Sequence, residues 1–297
     1  MPFFSIILPT YNRAGFLPET IKSVLVQTFT DWELIIVDDG STDNTKSVVE
    51  SFIKIDSRIK YVWQKNAERS AARNHGIRLA KGEYICFLDS DDRYLSNHLI
   101  ELRSFIDDLL NKKCLIFTNY ILNQNRELKI PYIEHYENEI IFFLENPVIP
   151  SRVCINRKIL SDYKFREDIV IVEDTVLWIE IAVNYSVLQL NKNTVVYNLH
   201  EDNSVNLRKN CFKPRLDGLF KLFMLSGVKE IIPTQKQKYH ISECYYGIAK
   251  HYYLQNDTFK MLINIVSSLV TFPFSYRSKT KIYLLKSYFF GPRITEF

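Results

Sequence analysis

The stretch Glu83–Asp92, EYICFLDSDD, decides how this chain reads. Tyr84, Ile85, Cys86, Phe87 and Leu88 form an unbroken apolar run, the pattern of a strand buried on both faces of a sheet. The chain then sets down Asp89, Asp91 and Asp92 within four residues, where like charges repel. One of Ser90, Asp91 or Asp92 can cap a following helix, which accounts for one carboxylate and leaves two. Either those two are hydrated loop groups, or a divalent cation turns their repulsion into attraction. Magnesium or manganese held by one or two carboxylates keeps room for substrate phosphate oxygens. The stretch therefore predicts a Mn²⁺ or Mg²⁺ site that clamps a diphosphate.

The flanking segments set this strand in a series. Phe3–Leu8 reads as a first strand, followed by the loop PTYNRAG and a helix over Phe16–Gln27. Glu33–Ser41 is a second strand, and Asp43 or Thr42 can cap a helix over Thr45–Ile55. Ile59–Gln64 is a third strand, and ERSAARNHGIRLA a third helix closed by Gly82. After the acidic stretch come a helix over Leu95–Asn111 and a strand over Cys114–Leu122. Strands alternating with helices give βαβ units and a mostly parallel sheet flanked by helices, an α/β fold of Rossmann-like type. Ligands of such sheets sit beyond the carboxyl ends of the strands, which selects the loops PTYNR, VDDGS and LDSDD. Neither GxGxxG nor GxxxxGK[ST] is present, so dinucleotide and P-loop readings lack their defining loop. VDDGS alone is an ordinary turn; its charge matters only against a donor such as a nucleobase N–H or a ribose hydroxyl.

Five scattered cysteines with no CxxC spacing argue against a disulfide framework or a zinc site, and for a reducing compartment. The N-terminus MPFFSIILPTYNR has no basic start and reads as a strand rather than a signal peptide. No stretch reaches 18 apolar residues. Charge is uneven: residues 1–204 hold 23 Lys+Arg against 29 Asp+Glu (−6), residues 205–297 hold 15 against 5 (+10), and together they give the net +4.

Five motifs occur in order: PTYNR, VDDGSTDNT, ARNHGI, FLDSDD and VEDTVLW. The set resembles the inverting glycosyltransferases of family 2, with a GT-A fold, over about Phe4 to Asn206. The resemblance implies a catalytic domain over 1–206, with a nucleotide-sugar half to about 112 and an acceptor half over 113–206. A basic, aromatic helical extension over 207–297 follows. It implies that Pro9, Thr10 and Tyr11 lie along the nucleotide with the Tyr11 ring on the base. Asp39, with Asp38 beside it, would receive the uracil edge. Arg73 and Asn74 match the family's ARN, either touching the nucleotide or bracing its loops. Asp89 and Asp91 match its DxD motif, the second reaching the metal and the first the ribose or a metal-bound water; Asp92 is a further support. One departure stands out: the family often has glycine two residues before the serine of SAARN, where this chain has Glu68. That puts the identity of the donor in doubt.

In EDIVIVEDTVLWIEIAVN, apolar residues recur from Asp174 onward as in a helix, so Glu173 and Asp174 are also ordinary first-turn acids. The resemblance makes Asp174 the general base and Glu173 a supporting contact. An acceptor hydroxyl needs such a base, and the departing nucleoside diphosphate needs its charge neutralised. A lone histidine is more often structural than functional, but His200 resembles the family's downstream H…S element as a metal or diphosphate ligand. The implied activity is transfer of a sugar from a nucleotide-sugar, UDP-linked by expectation, to a glycan or lipid-linked saccharide in cell-surface polysaccharide biosynthesis.

In the tail, Lys279, Lys281 and Lys286 beside Tyr283, Leu284, Leu285, Tyr288, Phe289 and Phe290 suit a helix on anionic lipid headgroups. They equally suit a helical subdomain packed on the catalytic domain or on a second copy. The first reading is peripheral contact with the cytoplasmic face of the membrane, the second allows a homodimer, and nothing resembles a nucleic-acid module. Rival readings are a silent nucleotide-sugar or glycan binding module on the same fold, and a sugar nucleotidyltransferase. The latter would carry a Gly-rich, Arg-containing loop where PTYNRAG stands. A haloacid-dehalogenase-like phosphatase would carry its aspartates after the first strand, where Leu8 is followed by Pro-Thr.

Overall fold

The apolar runs that read as strands become a sheet whose two faces are both covered. The computed structural model describes residues 1–110, 112–124, 127–129, 138–200, 210–273, 280–282 and 285. The first half runs β1 (Phe4–Thr10), α1 (Leu17–Leu25), β2 (Trp32–Asp38), α2 (Thr45–Ile53), β3 (Ile59–Trp63), α3 (Glu68–Leu79), β4 (Tyr84–Phe87). After β5 (Arg93–Tyr94) and α4 (His98–Asp107) come β6 (Cys114–Gln124), β7 (Glu127–Lys129), α5 (Glu139–Glu145) and β8 (Val153–Asn156). The first unit closes with α6 (Glu173–Ala182) and β9 (Ser186–Leu199).

The strand order is β3-β2-β1-β4-β8-β6-β9-β5, with β7 paired to β6. The first four strands are parallel, as the βαβ pattern requires. Beyond β4 the sheet is mixed: β8 is antiparallel to β4 and β6, β9 is parallel to β6, and β5 is antiparallel to β9. Side-chain alternation sorts the layers. Ile6, Leu8, Cys86 and Leu88 join Leu17, Ile21, Val49, Leu99 and Leu102 of the helices in one core. Ile7 and Phe87 face the other way, toward Gly76 of α3 and Trp178 of α6.

Two expectations about helix ends need correction. Gly82 does not close α3: the helix ends at Ala80, which turns to extended backbone (φ −65°, ψ 135°). Gly82 is required by close approach instead, because a Cβ there would stand 2.5 Å from the Ser5 nitrogen. Its N–H donates to Ser5 Oγ (2.8 Å), which donates to the buried Glu33 (2.6 Å). Nor does Ser90, Asp91 or Asp92 cap the next helix. The short strand β5 intervenes, α4 begins after Asn97 without a cap from its side chain, and Gln27 Oε1 accepts from Leu99 N (3.0 Å) in the first turn. Asp43 does serve α2, its Oδ1 accepting from Thr45 N at 3.0 Å.

The chain divides into two compact units, Met1–His200 and Glu201–Phe297. The second is helical, with α7 (Phe212–Phe223), α8 (Val228–Ile231), α9 (Thr234–Leu254) and α10 (Thr258–Thr271). Tyr246, Ala249, Met261 and Ile265 form its core, and Gly247 lets the Phe212 ring lie against α9. Lys281, read as suiting lipid headgroups or a packed helical subdomain equally, is fully buried, 2.8 Å from Ser242 Oγ and 3.1 Å from Glu243. A paired ammonium enclosed by its own helices is not available to a membrane. Lys279, Tyr283, Leu284, Lys286, Tyr288, Phe289 and Phe290 lie outside the described residues. No helix among the described residues is long and apolar enough to cross a membrane.

Candidate active site

The loops after β1 and β2 are stitched together by Asn12, whose backbone is left-handed (φ 51°). Its side-chain oxygen accepts from Thr42 N (2.8 Å), and its own N–H donates to Ser41 Oγ (2.8 Å). Pro9 and Thr10 end β1 in buried positions, and the buried Thr10 hydroxyl has no hydrogen-bond partner among the described residues. The Tyr11 ring is 48% exposed, free to meet a planar ligand. Asp38 is fully engaged, Oδ1 accepting from Ser41 N (2.8 Å) and Oδ2 from Tyr61 OH (2.7 Å). Burial and that carboxylate hold the Tyr61 phenol well above its ordinary range. Asp39 accepts at Oδ1 alone, from Gln64 Nε2 (2.7 Å) and Ala67 N (2.9 Å); Oδ2 accepts no hydrogen bond among the described residues.

The acidic turn after β4 separates its three carboxylates by function. Asp92 is buried and structural: Ser151 Oγ donates to it at 2.6 Å and Asn198 N at 3.2 Å. Burial, then the charges of Asp91 and Asp89, push its carboxyl well above the usual range. Ser151 also accepts from Asp89 N (3.0 Å), and Thr20 donates to the carbonyls of Ser90 and Asp92. Asp91 meets His200, with Nε2 3.0 Å from Oδ2, and the imidazole stacks on Phe16 at 4.9 Å. Asp89 receives the buried guanidinium of Arg73, Nη2 to Oδ1 at 2.7 Å.

Arg73 reaches two ways. Its Nη1 donates to Glu173 Oε1 at 3.0 Å, so one cation joins the β4 turn to the start of α6. It rises from the buried face of α3, and the Phe165 ring lies 5.1 Å from it. The neighbouring Asn74 serves a different segment, exchanging hydrogen bonds with Phe165 O (2.8 Å) and N (3.0 Å). Beside Glu173, burial and that glutamate's charge push Asp174 up to about 7, against the opposing pull of Arg73. Val172 enters α6 with φ 67°, a left-handed conformation that a β-branched residue adopts only under strain. Glu68, where the family resemblance leads one to expect glycine, also has positive φ (72°), a backbone that favours glycine.

The sequence-predicted residues thus fall into three groups. Asp89, Asp91, Asp92, Arg73, Glu173, Asp174 and His200 form one linked charge network. Asp38 and Asp39 end β2 one strand away, with Thr10 bonded through its carbonyl to Asp39 N (2.8 Å). Asn74 stands apart as a brace. Sequence reasoning missed Ser151, Asn198, Thr20 and Phe16, which no motif marks.

The donor set suits a cation. Asp91 and His200 offer one oxygen and one nitrogen, and an imidazole ligand favours manganese over the oxygen-seeking magnesium. Among the described residues no three His, Cys, Asp or Glu side chains converge on one point.

The family model for glycosyl transferase family 2 matches residues 5–162. The chain belongs to that family. Glycosyl transferase family 2 relatives include a GalNAc(5)-diNAcBac-PP-undecaprenol beta-1,3-glucosyltransferase of Campylobacter jejuni, 30% identical over 85% of this chain and 85% of the relative. Another is the UDP-Glc:alpha-D-GlcNAc-diphosphoundecaprenol beta-1,3-glucosyltransferase WfgD of Escherichia coli, 34% identical over 63% of this chain and 72% of the relative. The aligned region spans only 31% of an uncharacterized Rickettsia felis glycosyltransferase (36% identical over 63% of this chain). It spans 48% of the Bacillus subtilis teichuronic acid biosynthesis protein TuaG (39% identical over 41% of this chain). Among solved structures, S. aureus TarS 1-349 with UDP-GlcNAc aligns at a TM-score of 0.67 with 18% identity, covering 97% of this chain and 91% of TarS. At that identity it establishes the GT-A fold.

Proposed function

We propose that this chain transfers a sugar from a UDP-sugar to a saccharide carried on a lipid diphosphate, with inversion and divalent-cation assistance, in the assembly of a cell-surface polysaccharide. Family membership supports sugar transfer, and the relatives named for diphosphoundecaprenol substrates support the acceptor class. TarS with UDP-GlcNAc supports the donor, and a Pyrobaculum calidifontis mannosyltransferase with GDP-Man and Mn2+ supports the metal. The single observation that carries the mechanism is Asp174, a carboxylate pushed up to about 7 beside a glutamate tied through Arg73 to Asp89.

A general base works best with a pKa near the operating pH. Asp174 takes the proton of the acceptor hydroxyl as its oxygen attacks the anomeric carbon. The bond from that carbon to the diphosphate oxygen breaks in the same step, which inverts the centre. Asp91 and His200 would hold the cation, which supplies neutralising charge to the leaving diphosphate. Tyr11 covers the base and the open Oδ2 of Asp39 accepts its N–H. The net charge of +10 over residues 205–297 supports a peripheral position on an anionic membrane face.

Thermal unfolding with UDP, with and without Mn²⁺, tests this reading. A ligand at 100 times its Kd stabilises by about 2.7 kcal/mol, several degrees for a chain of this length. The wild type is expected to shift only when UDP and Mn²⁺ are both present, and Asp91→Asn to lose the shift. No shift with UDP or with GDP, CDP or dTDP would sink the proposal and leave a silent fold.

A further inference from the structure

Arg152 carries a charge that no carboxylate among the described residues balances. It ends the 3-10 turn Pro150–Arg152 just before β8, and the residue is 4% exposed. Its Nε donates to the Thr118 carbonyl at 2.7 Å. Among the described residues its buried Nη2 has no hydrogen-bond partner, and neither has the neighbouring Thr118 hydroxyl. Among the described residues no carboxylate pairs with it; the Tyr120 ring at 4.7 Å and the Phe117 ring at 5.6 Å are its company. A buried guanidinium normally has a carboxylate or phosphate in bidentate contact, because removing it from water is otherwise costly. Burial, opposed by the Tyr120 phenol, lowers its pKa to about 10, so it stays charged at neutral pH.

Its position says which part of the reaction it belongs to. The adjacent residue, Ser151, holds Asp89 and Asp92 in place. Tyr120 packs edge-on against Tyr197 at 6.2 Å, whose phenol is pushed up by burial and then by Asp92, Asp91 and Asp89. Arg152 therefore lies one aromatic pair away from the acidic turn, on the β6–β8–β9 side of the sheet. That is the side of the acceptor half. Here β6 slips register against β9 at Thr118, Asn119 and Tyr120, which opens the ladder.

We propose that Arg152 and the Thr118 hydroxyl form an oxyanion subsite that receives the diphosphate of the acceptor, with the half-buried Tyr120 ring swinging aside to admit it. This rests on the lipid-diphosphate reading above and adds the group that recognises it. The guanidinium supplies the paired donors a phosphate takes, and the phosphate supplies the missing counter-charge.

The test is thermal unfolding in EDTA, where the cation-dependent nucleotide site is silent, with geranyl diphosphate, geraniol or inorganic phosphate as probe. Geranyl diphosphate is expected to raise the wild-type melting temperature by several degrees and geraniol to leave it unchanged. Arg152→Met is expected to lose the geranyl diphosphate shift while keeping the UDP–Mn²⁺ shift. Arg152→Lys, which keeps the charge without the fork, retains a smaller part of it and guards against misfolding of the first variant. An equal shift with inorganic phosphate would make this a free-phosphate site and overturn the acceptor assignment. Loss of the UDP–Mn²⁺ shift in Arg152→Met would move the subsite to the donor and do the same. A wild type that ignores geranyl diphosphate, or an Arg152→Met that still responds, would overturn the subsite outright. If the wild type also ignores UDP with Mn²⁺, the broader reading fails, and the two failures are distinguishable.

Discussion

Asp174 is where acid–base chemistry and stability pull in opposite directions. Its carboxyl is raised from 3.8 to about 7 by burial and by Glu173. Between those values the folded protein holds a proton that the unfolded chain releases. Stability therefore falls as pH rises from about 4 to 7, while the form that would serve as the proposed base accumulates. Asp174→Asn is expected to lower kcat by about 10²–10⁴-fold and to raise the melting temperature at pH 8. Arg73 pulls the same pKa down, so Arg73→Lys, with its weaker double contact, should move the acid limb of kcat/KM to higher pH. A pH–rate profile of both variants checks this, and an unmoved limb in Arg73→Lys would separate Arg73 from the base. Strand–loop–helix order made the loops after β1, β2 and β4 legible, while Arg73, Asn74, Glu173, Asp174 and His200 were singled out by the family resemblance. Ser151, 59 residues from Asp92, and Asn198, 106 away, were illegible. Their role depends on pairing β8 and β9 into the sheet, and nothing local encodes that.

At the level of the element, α3 shows how close packing aims side chains. Gly76 faces β1, and a Cβ there would stand 2.5 Å from Ile7 Cγ2, a fully buried side chain on a central strand. Alanine gains about 1 kcal/mol in helix propensity, but overpacking a rigid core costs about 1–3 kcal/mol. Gly76→Ala is expected to be net destabilising by about 1 kcal/mol in urea unfolding. It should also weaken nucleotide binding, since it lifts Arg73 and Asn74 with the helix. A variant as stable as the wild type would show that α3 can ride outward freely. The parallel half of the sheet was legible from βαβ alternation. The mixed half was not, because antiparallel β8 and the slipped β6–β9 pair carry no hydrophobic period of their own.

For the molecule as a whole, two compact units predict two unfolding events. Lys281 belongs to the second, buried against Ser242 and Glu243. Removing one partner of a buried pair strands the other, at a cost of about 3 kcal/mol or more. In calorimetry Lys281→Ala is expected to lower one transition and leave the UDP–Mn²⁺ response of the other intact. A uniform drop in both would mean the units melt as one. The charge imbalance between the two parts was plain from composition. The burial of one of those lysines was not, since amphipathic spacing does not reveal which neighbour a helix finds.

The reach of Arg73 has a consequence for anyone recombining these enzymes. Its guanidinium rises from α3, yet it is answered by Glu173 at the start of α6 as well as by Asp89 after β4. A chimera that grafts another relative's α6 onto this chain's first four strands must bring a carboxylate to that position. Without it, the graft inherits an unanswered cation at the seam between the parental segments. Compatibility of parts is thus written in one residue, and parental pairs can be sorted by it before any are built.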